Sequence, residues 1–359
     1  MNRLMEFIRR ERLYLLLLTF IILVNVITMM PSREGAGTAR GKTVVETAKA
    51  PAAKSQAETK LAEASRRAAL EKLLSEKRGL TLIFGLTSLL IIAAFLLGLV
   101  IDIVLAASAI SGKKIDISTY RPPAANWNTW DVAKVVILFI FFGYIIIMIE
   151  SVMTRVFPVI KDNNFRMILN SSALDAIAVI LILYFAIGER KEKLVALGIS
   201  FKNFAKNVLY GVISYIALIP VLIAVLAAIA LFVNMIHYVP QKQPVVELFL
   251  KEKNTSFLLY TSLFAAVLGP IIEELFFRGF MYNAFKKRIG VFAAMLITAA
   301  MFAALHAHAV GFLPIMILGM LLAYLYEKTG TLVSSITVHA IHNLSMVFMV
   351  FLVKQLGVG

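Results

Sequence analysis

Nine apolar stretches, most of them long enough to cross the hydrocarbon core of a bilayer, constrain this chain more than any other feature of its sequence. They run at about Leu13 to Met30, Leu80 to Ile110, Val132 to Met153, Ser171 to Ile187, Val208 to Val233, Phe257 to Tyr282, Val291 to Leu305, Phe312 to Tyr326 and Leu332 to Val353. Inside a bilayer each backbone N–H and C=O must be satisfied within its own segment, so such runs become helices. The expected fold is all-α: a polytopic membrane helix bundle of about nine transmembrane segments. The two short runs flanking His306 are read as re-entrant candidates. Composition agrees, with 60% hydrophobic residues against 16% charged and a mean hydropathy of +0.86, more apolar surface than a water-soluble globule can hide.

The remaining charge is strongly basic, a net +15. Nucleic-acid binding would need a basic stripe interleaved with exposed aromatics, and none is present, so no nucleic-acid partner is expected. Lys and Arg flanking membrane helices on the cytoplasmic side account for the excess. The basic connections are Ser111 to Asp131, the turn at Arg190, Lys191 and Lys193, and the cluster Lys286, Lys287, Arg288. They favour an N-terminus inside and a C-terminus outside, although the Lys- and Arg-containing stretch Pro31 to Gly79 would then lie outside, against the rule. Cysteine is absent, which removes disulfides, thiolate ligands and Cys nucleophiles.

Arg3, Arg9, Arg10 and Arg12 precede the first apolar run. Without a small-residue cleavage site that run reads as an uncleaved anchor, compatible with a prokaryotic plasma membrane. Between Pro31 and Gly79 the composition turns polar. Ser55 with Glu58 suggests a capping box, Glu63 and Arg67 an i,i+4 pair, Leu70, Leu73 and Leu74 an apolar stripe, and Gly79 a C-terminal cap. We expect a solvated stalk or a short coiled coil there. A composition boundary near Asp131 separates an N-terminal accessory region, 1–130, from a core, 131–359. The oligomeric state is not legible.

Ionisable groups are sparse within the runs until the last hundred residues. The stretch AAVLGPIIEELFFRGF places Glu273, Glu274 and Arg278 inside an apolar helix, where they must face one another or a water-filled cavity. Glu274 and Arg278 are i,i+4 neighbours in the favourable order. Glu273 is rotated from Glu274 by about 100°, so one acid can pair while the other stays free. Gly269 and Pro270 predict a local bend. His306 ends the run MLITAAMFAALHAH with Phe302 one turn before it, and VHAIHN sets His339 and Asn343 on one face. Taken singly, such a His or Asn can merely join helices. Together the groups supply a carboxylate, a charge partner, an imidazole and amide-type donors, the inventory of water-mediated amide hydrolysis.

These residues resemble the CPBP (CAAX protease and bacteriocin-processing) family of intramembrane proteases, which includes the type II CAAX prenyl endopeptidases. EELFFR matches its Glu-Glu-x-x-x-Arg motif, FAALH its Phe-x-x-x-His motif and HAIHN its His-x-x-x-Asn motif. LGMLLAYLYEKTGTLVSSITVHAIHN is similar in the spacing of the later motifs. The resemblance covers roughly Phe257 to Val353, with the Leu197-Gly198-Ile199 turn, and leaves the first 130 residues unexplained. It implies that Glu273 and His306 activate a water, that His339 and Asn343 stabilise an oxyanion, and that Glu274 and Arg278 shape the site. The implied partners are the lipid bilayer and a membrane-associated peptide or protein substrate, prenylated or leader-bearing, with no cofactor. An alternative is a zinc site of Glu273, His306 and His339. Two other classes stand beside the enzyme: a non-proteolytic adaptor or immunity-type protein of the same fold, and a proton-coupled transporter, the last disfavoured by the lack of a repeated half.

Overall fold

The computed structural model describes residues 2–29, 78–113, 116–118, 124–157, 162–238 and 244–356. Among them every regular element is helical. Seven helices are long and apolar enough to cross a membrane: Arg78–Ile110, Thr129–Val156, Phe165–Glu189, Phe204–Met235, Thr255–Ile289, Phe312–Thr329 and Leu332–Gln355. The other two expected spans are helical but shorter, Arg12–Thr28 and Val291–Leu305. The 15 residues of the latter rise about 22 Å at 1.5 Å each, short of a core about 30 Å thick. The chain is thus an integral multi-pass helix bundle, with seven full-length spans among the described residues rather than nine.

Two compact units are present, one of Met1–Ser88 with Gln355–Gly359 and one of Leu89–Lys354. In the first, α1 (Asn2–Arg10) and α2 (Arg12–Met29) meet near Glu11, whose buried carboxylate accepts from Arg10 Nε at 2.9 Å. The capping box at Ser55, the Glu63–Arg67 pair and the leucine stripe lie outside the described residues. Gly79 is not a helix end. It sits in the first turn of α3 (Arg78–Ile110), where the roughly 1 kcal/mol cost of a helical glycine is small against a long apolar helix.

Within the second unit, α4 (Thr129–Val156) starts at a capping box in which Asn128 accepts from Trp130 and Asp131 N–H groups and Asp131 answers to the Asn128 N–H. The buried Asp131 carboxylate also takes Arg190 Nη2 at 2.7 Å, pinning the loop after the next helix, α5 (Asn163–Leu183). Then come α6 (Phe204–Met235) and the short α7 (Pro244–Lys251). Pro220 lies inside α6 without breaking it. Proline has no N–H for the carbonyl four residues back, here that of Ile216, and Gly98 of α3 lies against that oxygen. A Cβ on Gly98 would stand 2.4 Å from Ile216 O, so only glycine permits the approach.

The site-bearing helix, Thr255–Ile289, changes register twice. Three α-helical pieces, α8 (Thr255–Leu263), α9 (Gly269–Glu274) and α10 (Asn283–Ile289), are joined by wide π-type turns at Phe264–Leu268 and Leu275–Tyr282. The bend expected at Gly269-Pro270 therefore takes the form of a π-turn just before it. Such turns disturb the usual ladder and commonly mark functional positions. Carbonyls along the second of them also accept from side chains: Gly279 O from Asn283 Nδ2 at 2.7 Å, and Phe280 O from Trp127 Nε1 at 2.8 Å besides the Asn283 N–H. Trp127 is fully buried and stacks on Phe280. Around this helix pack α11 (Val291–Leu305), α12 (Phe312–Thr329) and α13 (Leu332–Leu356), with α11 and α12 closely apposed. Gly319 of α12 meets Ala299 of α11, where a Cβ would already be tight at 3.1 Å.

Candidate active site

The six residues singled out from sequence gather where α9 and the π-turn after it face α11 and α13, but they divide into two environments. Glu274, Arg278 and His339 are sealed, with relative exposures of 0%, 1% and 2%. Glu273 keeps 40% of its side chain accessible, and His306 is exposed at the end of α11.

The sealed group is hydrogen-bonded together through Glu274 Oε1, while Glu274 Oε2 and Arg278 Nε make no hydrogen bond. Arg278 Nη1 donates to Glu274 Oε1 at 2.6 Å, the i,i+4 pair expected from spacing, and Nη2 donates to Gly319 O at 3.1 Å. His339 Nδ1 lies 2.9 Å from the same Glu274 oxygen. The guanidinium also rests on the face of the Phe302 ring, 4.6 Å from its centroid. A buried charge is tolerable only when paired and hydrogen-bonded, and Arg278 meets both conditions through groups from three helices.

Glu273 stands outside that network, as its rotation around the helix predicts. Its Oε2 is buried and without a hydrogen bond, 3.5 Å from His339 Nε2. The exposure therefore belongs to the rest of the side chain. Asp175 of α5 is a further acid within electrostatic range of Glu273. Sequence reading passed over it because a lone Asp in an apolar run carries no motif.

His306 is oriented by its own helix, with Nδ1 2.8 Å from Phe302 O. A carbonyl only accepts, so Nδ1 carries the proton and a neutral ring presents its Nε2 lone pair outward. Ala307 follows in the left-handed region at φ +47°, which turns the chain away at once. His308 then accepts from Gly311 N at 2.9 Å and serves that turn. Phe302 is fully buried, and its ring lies 4.8 Å from the His306 ring and 5.4 Å from that of His339.

His339 and Asn343 both point at the broken helix, and each is already engaged. Held to an ionised Glu274 by an Nδ1–H, a neutral His339 presents a lone pair at Nε2, and it donates from Nε2 only as the imidazolium. Asn343 Nδ2 donates to Ala265 O at 2.9 Å. That carbonyl has a specific need. The Gly269 N–H reaches back five residues to Phe264 O, and the next partner in that register, Pro270 for Ala265, has no N–H. Asn343 supplies the missing donor and retains a second amide hydrogen and its oxygen. His342, one turn from His339, is packed against Tyr215 with a buried Nδ1 that lacks a hydrogen bond. Among the described residues no three His, Cys, Asp or Glu side chains are gathered so as to hold a metal ion.

Residues 255–345, which contain all six residues singled out from sequence, match the family described as Type II CAAX prenyl endopeptidase Rce1-like. That match agrees with the resemblance of the three motifs to the CPBP family. A Bacillus subtilis (strain 168) protein named "Putative membrane peptidase YdiL" is 31% identical over 85 residues, 24% of this chain and 35% of that protein. The chain thus spans about a third of the curated relative it matches. No solved structure matches. The matched segment carries all three motif groups; residues before 255 fall outside the family match.

Proposed function

We propose that the chain is an intramembrane endopeptidase in which Glu273 is the general base toward water. The observation that carries this reading is the difference in access between adjacent acids: Glu274 is fully buried and paired with Arg278, whereas Glu273, 3.5 Å from His339 Nε2, keeps 40% of its side chain accessible. A structural carboxylate in a membrane helix is paired away, and one held open has a proton to move.

In the proposed reaction Glu273 takes a proton from water as its oxygen attacks the peptide carbonyl carbon. His306, through Nε2, orients the same water. The carbonyl π electrons move to oxygen, and the resulting oxyanion is met by the free amide hydrogen of Asn343 and by Nε2–H of a protonated His339. Collapse breaks the C–N bond, and Glu273 returns its proton to the leaving amine. Glu274 and Arg278 hold His339 and close the floor. The proposed substrate is a membrane-associated peptide or protein, prenylated or leader-bearing, and the description of the matched family as a prenyl endopeptidase supports the first. Residues 1–130 are proposed as an accessory region on a core of 131–359, in a prokaryotic plasma membrane with the N-terminus cytoplasmic.

The test is cleavage of a panel of prenylated and unprenylated membrane-tethered peptides by purified protein. Wild type should cleave at least one, and Glu273→Gln and His306→Ala should lose that activity while melting as wild type does. Activity that survives chelation supports the glutamate route, and loss restored by zinc supports the metal alternative. Failure of wild type on the whole panel, or active variants, would turn the reading toward an adaptor.

A further inference from the structure

Well away from Glu273, a cavity of about 410 Å³ opens between α10, the end of α12 and the segment before α4. Thirteen residues separate Glu273 from Lys286, roughly 20 Å along a helix at 1.5 Å per residue, so this space is distinct from the candidate active site. Its lining includes Lys286, Lys287 and Lys328 against a single carboxylate, Glu327, with the Asn283 amide and the exposed Ser118 beside them. Glu327 Oε2 already takes Lys286 Nζ at 2.6 Å and Tyr282 Oη at 3.0 Å. Lys287 Nζ donates to Trp127 O at 3.1 Å, and an ammonium has three N–H groups. Among the described lining residues Lys286 takes the one carboxylate; Lys287 is near Glu192, Asp131 and Arg190 beyond the wall, and Lys328 has no carboxylate of the wall as its partner.

The location adds a second constraint. Lys286 and Lys287 lie at the end of the Thr255–Ile289 span and Lys328 at the end of Phe312–Thr329, the level at which lipid headgroups meet water. Basic pockets between membrane helices at that level suit phosphate-bearing headgroups, and lysine serves phosphate as a point charge. We propose that this cavity binds a phosphate group, held by Lys287 and Lys328 with Lys286 and Asn283 completing the wall. The proposal does not depend on the peptidase reading.

Thermal unfolding of the full chain in neutral detergent tests it with three additions: phosphatidylglycerol, inorganic phosphate, and a control of net-neutral phosphatidylcholine with chloride at equal ionic strength. Whatever binds the folded state alone raises the melting temperature. Wild type should gain several degrees over the control in at least one phosphate arm, and Lys287→Gln/Lys328→Gln should lose more than half of that gain. A gain with phosphatidylglycerol alone identifies a lipid headgroup, and one with inorganic phosphate identifies the anion itself. Lys328→Gln, at an exposed position, repeats the comparison should the double variant melt low on its own. No gain over the control in either arm, or an undiminished gain in the variants, overturns the proposal.

Discussion

Two membrane helices here carry an internal proline and deal with it in opposite ways. In α6, Pro220 is absorbed into a continuous α-helix, and the carbonyl it leaves without a donor is covered by the Cα of Gly98. In Thr255–Ile289, Pro270 follows a π-turn, and the carbonyl it leaves is met by the amide of Asn343. The first solution uses closeness and a weak contact; the second uses a full hydrogen bond and brings polar groups with it. The difference follows from what each helix carries. The middle of α6 is apolar, while α9 and the turn after it hold two acids and an arginine, so that helix already lies against partners able to donate.

Four substitutions would break or sharpen this contrast. The largest stability loss is expected from Arg278→Leu, which strands Glu274 at 0% exposure. Removing one partner of a buried pair costs about 3–5 kcal/mol, so the variant should melt far below wild type, and Arg278→Leu with Glu274→Gln should recover part of the loss. Glu273→Gln one position earlier should leave melting unchanged yet lower any peptidase rate by about 10²–10⁴-fold; a destabilised Glu273→Gln would mean that both acids are structural. Asn343→Leu should cost about 1–3 kcal/mol, the penalty of an unmet buried carbonyl. Pro270→Ala, which returns an N–H to the chain, should reduce that cost in the double variant, whereas additivity would sever the link between the two residues. Gly98→Ala comes last, at about 1–3 kcal/mol for overpacking. It should be relieved by no polar substitution, and stability equal to wild type would remove the proposed role of closeness at Pro220.

Much of this was legible in the sequence. Apolar run length located each of the nine helices, because membrane helices are selected on a single crude property. Period and rotation separated Glu273 from Glu274, since 3.6 residues per turn is enough to tell a pair from a neighbour. The register changes were not legible. A π-turn depends on which carbonyls find side chains from distant segments, as Phe280 does with Trp127, 153 positions away. Val291–Leu305 has the bounds expected of it, and its 15 residues fall short of a full span, as a re-entrant candidate should. For Asn343 the spacing predicted the face it lies on but not its tie to Ala265, which is visible only once the two helices are docked. Asp175 needed the same tertiary information.

Phe302 offers a last consequence. One ring floors the guanidinium and walls both imidazoles, so the three polar groups share a single mechanical reference. A change at this one side chain therefore alters the surroundings of the guanidinium and of both imidazoles at once, like a keystone shared by three arches.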